Sequence, residues 1–319
     1  MAFGVKRQMK EEMEMTIFTV FFQMLALLIM IGVGYFITRQ GMLDEHTNYQ
    51  LSGLLVNLFN PLLILSGAAN SVGLISSGDM KTVGLIAVGM FAVFIPVGMI
   101  LSPVFEREPE QRKIFQLMFV FSNLGFIGIP VVSGIIGEEY IVYVTEFILI
   151  YNVILYSYGT AVLSRRLSVS SLKEMLNPGT VFSIAAMIII IFEIQLPDFI
   201  KTASTYLGNV TSPMALIVIG FTLAQSDLKR IFCQPRLYVF SVVKLLVIPL
   251  LLLPLLKLVT KDVPLISVSM VMLGMPVGNV AVMMGMRKGI DGTNGSAAII
   301  LTTVLCVFTI PILMFAVGY

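Results

Sequence analysis

Apolar residues fill ten long blocks of this chain, at about 16–38, 47–69, 79–103, 113–136, 139–163, 177–195, 198–225, 235–258, 262–286 and 291–318, with short polar clusters between them. Each block is close to the roughly twenty residues a helix needs to cross about 30 Å of hydrocarbon. None alternates with the period of two that marks a membrane barrel strand. The pattern predicts an all-α polytopic membrane protein of ten transmembrane helices, with connections too short to hold a separate soluble domain.

Two features recur at a spacing of five blocks. The second block carries NLFNPLLILSG from Asn57, and the seventh carries NVTSPMALIVIG from Asn209. The fourth holds GIPV (128–131) and the ninth GMPV (274–277). A unit with an odd number of spans, repeated once, must insert in opposite orientations, so the pattern predicts two inverted five-helix repeats. They are residues 1–163 and 177–319, joined by a cytoplasmic linker at 164–176.

The fourth and ninth blocks are also the irregular ones. FSNLGFIGIPVV (121–132) places Asn123, Gly125, Gly128 and Pro130 inside an apolar helix, and Gly274, Pro276 and Asn279 gather in the same way in the ninth. Proline removes a helical hydrogen bond and clashes with the preceding turn, while glycine loosens the backbone. In lipid the freed groups need protein or a watery cavity, so paired interruptions point to a binding site near the midplane, where helix ends present partial charge to a ligand. Pro96, Pro249, Pro254 and Pro311 read as simple kinks. The Asn57, Asn60, Pro61 group and its counterpart Asn209–Pro213 could line the site or bend a helix against it.

Composition sharpens the class. The chain is 57% hydrophobic and 12% charged, against about 25% charged in soluble domains. A net charge of +2 argues against nucleic acid as a partner. The N-terminal stretch, followed by a long apolar run without a small-residue cleavage site, reads as leading into a first span rather than a signal peptide. Of the basic residues between the blocks and at their ends, twelve fall on one side and seven on the other, which puts the richer side in the cytoplasm and both termini outside the cell. Cys233 and Cys306 lack metal-ligand spacing, and His46, the only histidine, sits in a polar connection. No HExxH occurs and no nucleophile and base share a motif, so no enzyme is expected.

Two ionisable residues lie deep in spans, Glu146 in the fifth and Lys244 in the eighth. A charge at that depth costs about 2.5–3.5 kcal/mol and should face a cavity or a partner. Lys244 is either a structural cation holding helix carbonyls or Glu146, or an attractor for an anionic substrate. Glu146 is either half of a buried pair or a site of H⁺ or Na⁺ coupling. Asn152, on the same span as Glu146, belongs to the site or makes a helix–helix hydrogen bond.

NLFNPLLIL, FSNLGFIGIPVV with Gly137 beyond it, VVKLLVIPLL, GMPVGNVAVMMG and SAAIILTTVLCVFTIP together resemble the auxin efflux carrier family of membrane transporters, particularly its bacterial members, over nearly the whole chain. The long cytoplasmic loop of the plant carriers is absent, and Asp79 and Lys81 do not align clearly with the acidic residue and lysine those carriers use. The resemblance implies a bile acid:sodium symporter-like fold in which helices 4 and 9 are broken and cross at Pro130 and Pro276, with Asn123 and Asn279 beside the substrate. It implies a scaffold of helices 1, 2, 6 and 7, often dimeric, and a moving domain of helices 3–5 and 8–10. The expectation is thus an elevator-type secondary transporter in the cytoplasmic membrane. Its substrate would be a small organic anion, a carboxylate such as malonate, malate or an auxin-like acid, with no bound cofactor. A channel or a ligand-sensing receptor on the same scaffold is the alternative.

Overall fold

In hydrocarbon a helix satisfies its backbone internally, and helices are what the apolar blocks form. The computed structural model describes residues 2–73, 77–164, 177–226, 232–286 and 288–318, with side chains described from Val20 onward except at Ser77, Ser164 and Ala281. In chain order these residues build α1 (Ala2–Arg39), α2 (Glu45–Ser71), α3 (Ser77–Phe105), α4a (Pro109–Val120) and α4b (Leu124–Ile135). After them come α5 (Glu138–Leu163), α6 (Pro178–Ile191), α7 (Asp198–Ala224), α8 (Pro235–Val259), α9a (Val263–Leu273), α9b (Asn279–Met286) and α10 (Thr293–Val317). Among the described residues seven helices are long and apolar enough to cross a membrane: α1 over Val20–Arg39, α2, α3, α5, α7, α8 and α10. The helices α4b, α6 and α9a are apolar but shorter. The predicted linker beyond Ser164, with Arg165, Arg166 and Lys173, lies outside the described residues, as do Lys229, Arg230 and Arg287.

Several helices are widened by a π turn, at Leu55–Phe59, Leu124–Gly128, Leu155–Gly159 and Val243–Val247. Three of these end two residues before a proline, namely Pro61, Pro130 and Pro249. The proline ring collides with the carbonyl four residues earlier, and the extra residue of a π turn moves that carbonyl aside. Pro249 is therefore not the plain kink its sequence suggests: it follows a wide turn that carries Lys244. Pro96, Pro254 and Pro311 lie within α-helix.

The packing is reciprocal. The first helix, α1, lies along α7, and α6 lies along α2. Glycine allows the closest approach: a Cβ at Gly220 would sit 2.8 Å from the Gly34 carbonyl carbon, and one at Gly34 would run into the Ile217 backbone. Against this layer, α3 packs on α4a and α5, and α8 packs on α9a and α10. Buried rings join α3, α4a and α8. Phe119 meets Phe240 edge-on at 4.7 Å, Phe105 lies 5.6 Å from Phe240, and Arg236 covers Phe115 while pairing with Glu106 at 3.1 Å. This cluster fixes the end of α4a against α8, one helical turn from Lys244.

Candidate functional site

Helix α4a stops at Val120, and Phe121 adopts extended backbone (φ −106°, ψ 105°). On the other side α9a stops at Leu273, and α9b begins at Asn279. The two unwound segments meet in an antiparallel bridge between Ser122 and Val277. The Asn123 N–H donates to the Pro276 carbonyl at 2.8 Å, and the Gly278 N–H donates to the Phe121 carbonyl at 2.9 Å. Each break thus satisfies backbone groups freed by the other, as buried polar groups require. Gly278 makes the contact feasible, because a Cβ there would lie 2.9 Å from the Ser122 carbonyl oxygen.

Side chains secure the two segments. The Asn123 Oδ1 accepts from the Phe126 N–H at 3.2 Å and so caps α4b. The Val277 N–H donates to the Thr302 hydroxyl of α10 at 3.1 Å. Lys244 is fully buried, and its Nζ donates to the Phe119 carbonyl and to the Ser122 Oγ, each at 2.9 Å. In an unbroken helix the Phe119 carbonyl would accept from Asn123, whose N–H has turned to Pro276 instead. The ammonium replaces that donor at the negative end of α4a. It also lies 5.3 Å from the centre of the Phe94 ring, a favourable placement for a cation.

A cavity of about 190 Å³ opens beside the bridge. Its polar wall includes Ser122, Asn123, Asn60, Asn152, Asn177 and Asn279, and its apolar wall includes Phe126, Ile148, Tyr151 and Leu155. The Asn60 and Asn279 Oδ1 atoms are buried and find no hydrogen-bond partner among the described residues. The Asn152 Nδ2 donates to Thr180 of α6 at 2.9 Å, so this residue both lines the cavity and ties two helices together. Asn123 and Asn279 also line a much smaller void beyond them, against Thr222 and Thr303. The N-termini of α4b and α9b both start at this crossing, and their partial positive charge favours an anion there.

Other predicted residues fall elsewhere. The crossing on α4 lies at Ser122–Asn123, whereas Pro130 sits within the helical part of α4b. GIPV and GMPV are consequently not equivalent: Val277 of GMPV faces Ser122, and GIPV begins six residues after Ser122. Gly125 lines the cavity, 3.6 Å (from a built Cβ) from the Asn60 amide nitrogen. Gly128 packs on Met272, and Gly274 on Leu313. Asn57 is exposed and its side chain returns to the Gly53 carbonyl. Glu146 is buried beside Gly84, where a Cβ would collide with its carboxylate, and its Oε2 has no hydrogen-bond partner among the described residues. Among the described residues Glu146 and Lys244 form no ion pair, and neither lines the cavity.

Sequence reasoning passed over Tyr151, Asn177 and Thr302. For Asn177 a signal exists: Asn-Pro-x-Thr reads as a helix cap followed by proline in the first turn, and its Oδ1 does accept from the Thr180 N–H at 3.1 Å.

The family profile described as "Membrane transport protein" matches this chain twice, over residues 19–170 and 163–314. A protein of Methanocaldococcus jannaschii, described as an uncharacterized transporter, is 26% identical over 223 residues, which cover 64% of this chain and 69% of that relative. The twofold match takes in nearly all of the apolar blocks and both halves of the crossing. This chain belongs to the auxin efflux carrier-like family of membrane transport proteins.

Proposed function

We propose that the chain is a secondary active transporter that carries a small organic anion, a carboxylate such as malonate, malate or an auxin-like acid, through the crossing of α4 and α9. The observation that carries this reading is the cavity at which two helix N-termini and the side-chain amides of Asn123 and Asn279 converge. The oxygen of Asn123 is engaged by Phe126, which leaves its amino group as a donor for a ligand. Asn279 presents an amide with an atom unpartnered among the described residues, and amide oxygen and nitrogen exchange by a simple flip. Backbone N–H groups at helix starts bind anions without a full counter-charge. The apolar wall of Phe126, Ile148, Tyr151 and Leu155 suits the carbon part of such a molecule.

The architecture assigned to this activity is ten spans in two inverted repeats, residues 1–163 and 177–319. The double profile match supports it, as does the reciprocal packing of α1 on α7 and α6 on α2. In an elevator motion, α3–α5 and α8–α10 slide against a scaffold of α1, α2, α6 and α7. Asn60 of α2 and Asn177 of α6 border the same cavity as Asn123 and Asn279, which supports a ligand site at the seam between those groups. The scaffold is also assigned a dimer surface, the membrane is the cytoplasmic one with both termini outside, and coupling by H⁺ or Na⁺ is assigned to Glu146.

Counterflow of radiolabelled carboxylate in proteoliposomes tests the reading. Wild-type protein should exchange its substrate, and Asn123→Ala and Asn279→Ala should each reduce exchange and binding by at least tenfold while remaining monodisperse. Unchanged binding and exchange in both folded variants would remove the crossing as the site. Binding without counterflow would identify a receptor instead, and flux that does not saturate would identify a channel.

A further inference from the structure

A buried cation stands one residue behind the cavity wall without lining it. Lys244 is fully buried and lines no part of the cavity wall, yet its Nζ donates at 2.9 Å to Ser122, whose residue does form that wall. The direction of this hydrogen bond matters. A serine hydroxyl has one hydrogen to donate and lone pairs to accept with, and an ammonium can only donate. The Ser122 Oγ is therefore the acceptor, and its own hydrogen is left over. Among the described residues Ser122 donates that hydrogen to nothing. The remaining ammonium contacts are the Phe119 carbonyl and the Phe94 ring, so no carboxylate among the described residues neutralises the charge.

We propose that Lys244 and Ser122 form a charge relay: Lys244 holds Ser122 as an acceptor, and Ser122 turns its polarised O–H into the cavity to bind the anionic group of the substrate. Ser122 is then a binding residue and Lys244 a positioning residue that sets how much negative charge the site prefers. This rests on the reading of the cavity as a carboxylate site and extends it. Hydrogen bonds in series polarise one another, and in a site of low effective dielectric a cation one residue behind the wall still acts on the ligand. Among the described residues the first half of the chain offers no counterpart. Lys244 stands five residues before Pro249, and the residue five before Pro96 is Phe91. The ring of Phe91 packs on Phe121 and Tyr151, each at 6.3 Å. The relay is thus one-sided, and the site receives a single buried charge rather than a symmetric pair.

The test uses purified full-length protein in lipid nanodiscs. Calorimetric binding is measured for a panel of dicarboxylates, malonate and malate among them, each paired with its monomethyl ester. Each ester keeps most of the shape and carries one charge fewer. Lys244→Gln keeps a hydrogen-bond donor but no charge, so it should weaken dicarboxylate binding about tenfold and ester binding about threefold, lowering the preference for the dianion. Lys244→Arg differs in shape but keeps the charge, so in folded protein it should leave the dicarboxylate-to-ester preference within about twofold of wild type. Ser122→Ala leaves Lys244 in place and should lower the same preference, and combining it with Lys244→Gln should add little to either alone. If Lys244→Gln does not fold, Ser122→Ala alone decides. An unchanged ratio of dicarboxylate to ester affinity in the folded variants overturns the relay. Should wild-type protein bind no carboxylate of the panel, the carboxylate reading falls first and the relay with it. Loss of binding in Asn279→Ala with an unchanged ratio in Ser122→Ala would retain the site and discard the relay alone.

Discussion

The breaks in α4 and α9 complete each other's backbone across the Ser122–Val277 bridge, but each is held by different chemistry. On α4 the support is a buried ammonium, Lys244, which takes the carbonyl of Phe119 and the hydroxyl of Ser122. On α9 it is a neutral hydroxyl, Thr302, which accepts the Val277 N–H while donating to the Ala298 carbonyl at 2.6 Å. The hydroxyl fixes geometry and contributes no charge. The ammonium fixes geometry and also offsets the negative end of α4a, adding its charge to the positive ends of α4b and α9b at the crossing. Two halves can match in backbone and still divide the work, one setting shape and the other setting electrostatics.

The largest expected effect comes from breaking the bridge that both halves share. Gly278→Ala would place a methyl group 2.9 Å from the Ser122 carbonyl oxygen and 3.1 Å from its carbon. Both are backbone atoms, so neither segment can yield without stretching the bonds from Gly278 to Phe121 and from Asn123 to Pro276. Overpacking costs about 1–3 kcal/mol, and two weakened buried hydrogen bonds add about 1 kcal/mol each. The variant should unfold several degrees below wild type in a thermal melt and lose ligand-induced stabilisation. A melting curve that overlays wild type would mean the crossing is looser than its contacts imply.

A smaller effect isolates the α9 support. Thr302→Val keeps the shape but leaves the buried Val277 N–H without its acceptor, at a cost of about 1–3 kcal/mol. Because Thr302 brings no charge, the loss should appear in stability and should not alter the preference for a dicarboxylate over its ester. Thr302→Ser should recover most of it. If Thr302→Val changes the charge preference as Lys244→Gln is expected to, the division between shape and electrostatics collapses.

How much of this could be read from the chain alone follows from the range of each interaction. The interruptions in α4 and α9 were legible because glycine and proline act on their own backbone. Asn123 and Asn279 stood out because an amide in an apolar block needs a partner. The pairing of Ser122 with Val277 was not legible, since the bridge joins residues in opposite halves and depends on how the helices pack. The short likeness of GIPV to GMPV pointed to the wrong register for the same reason. The function of Lys244 stayed open because its acceptors are a carbonyl and a hydroxyl in another helix. Neither carries a sequence pattern that marks it as waiting for a cation. Pro249 read as a plain kink because the π turn before it is a response to the proline ring, and its placement of Lys244 emerges only with α4a packed alongside.

The smallest effect tests that register directly. Were GIPV part of the unwound crossing, as GMPV is, Gly128 would stand with backbone pressed against it, and Gly128→Ala would approach the damage of Gly278→Ala. Instead, a Cβ at Gly128 would meet the Met272 Cε at 2.9 Å and the Met272 Sδ at 3.5 Å. These atoms end a flexible thioether that can change rotamer to make room. Gly128 also has ordinary helical backbone, with φ −61° and ψ −44°, so alanine suits the conformation and even lowers the entropy of the unfolded chain. The net change should fall below about 1 kcal/mol in either direction, with carboxylate affinity within about twofold of wild type. A melt and a binding isotherm on Gly128→Ala and Gly278→Ala, side by side, separate the two registers. Equal damage from both would restore GIPV as a crossing element. A tolerant Gly128 beside an intolerant Gly278 ties the α4 break to Ser122 and Asn123, where the charge of Lys244 is delivered.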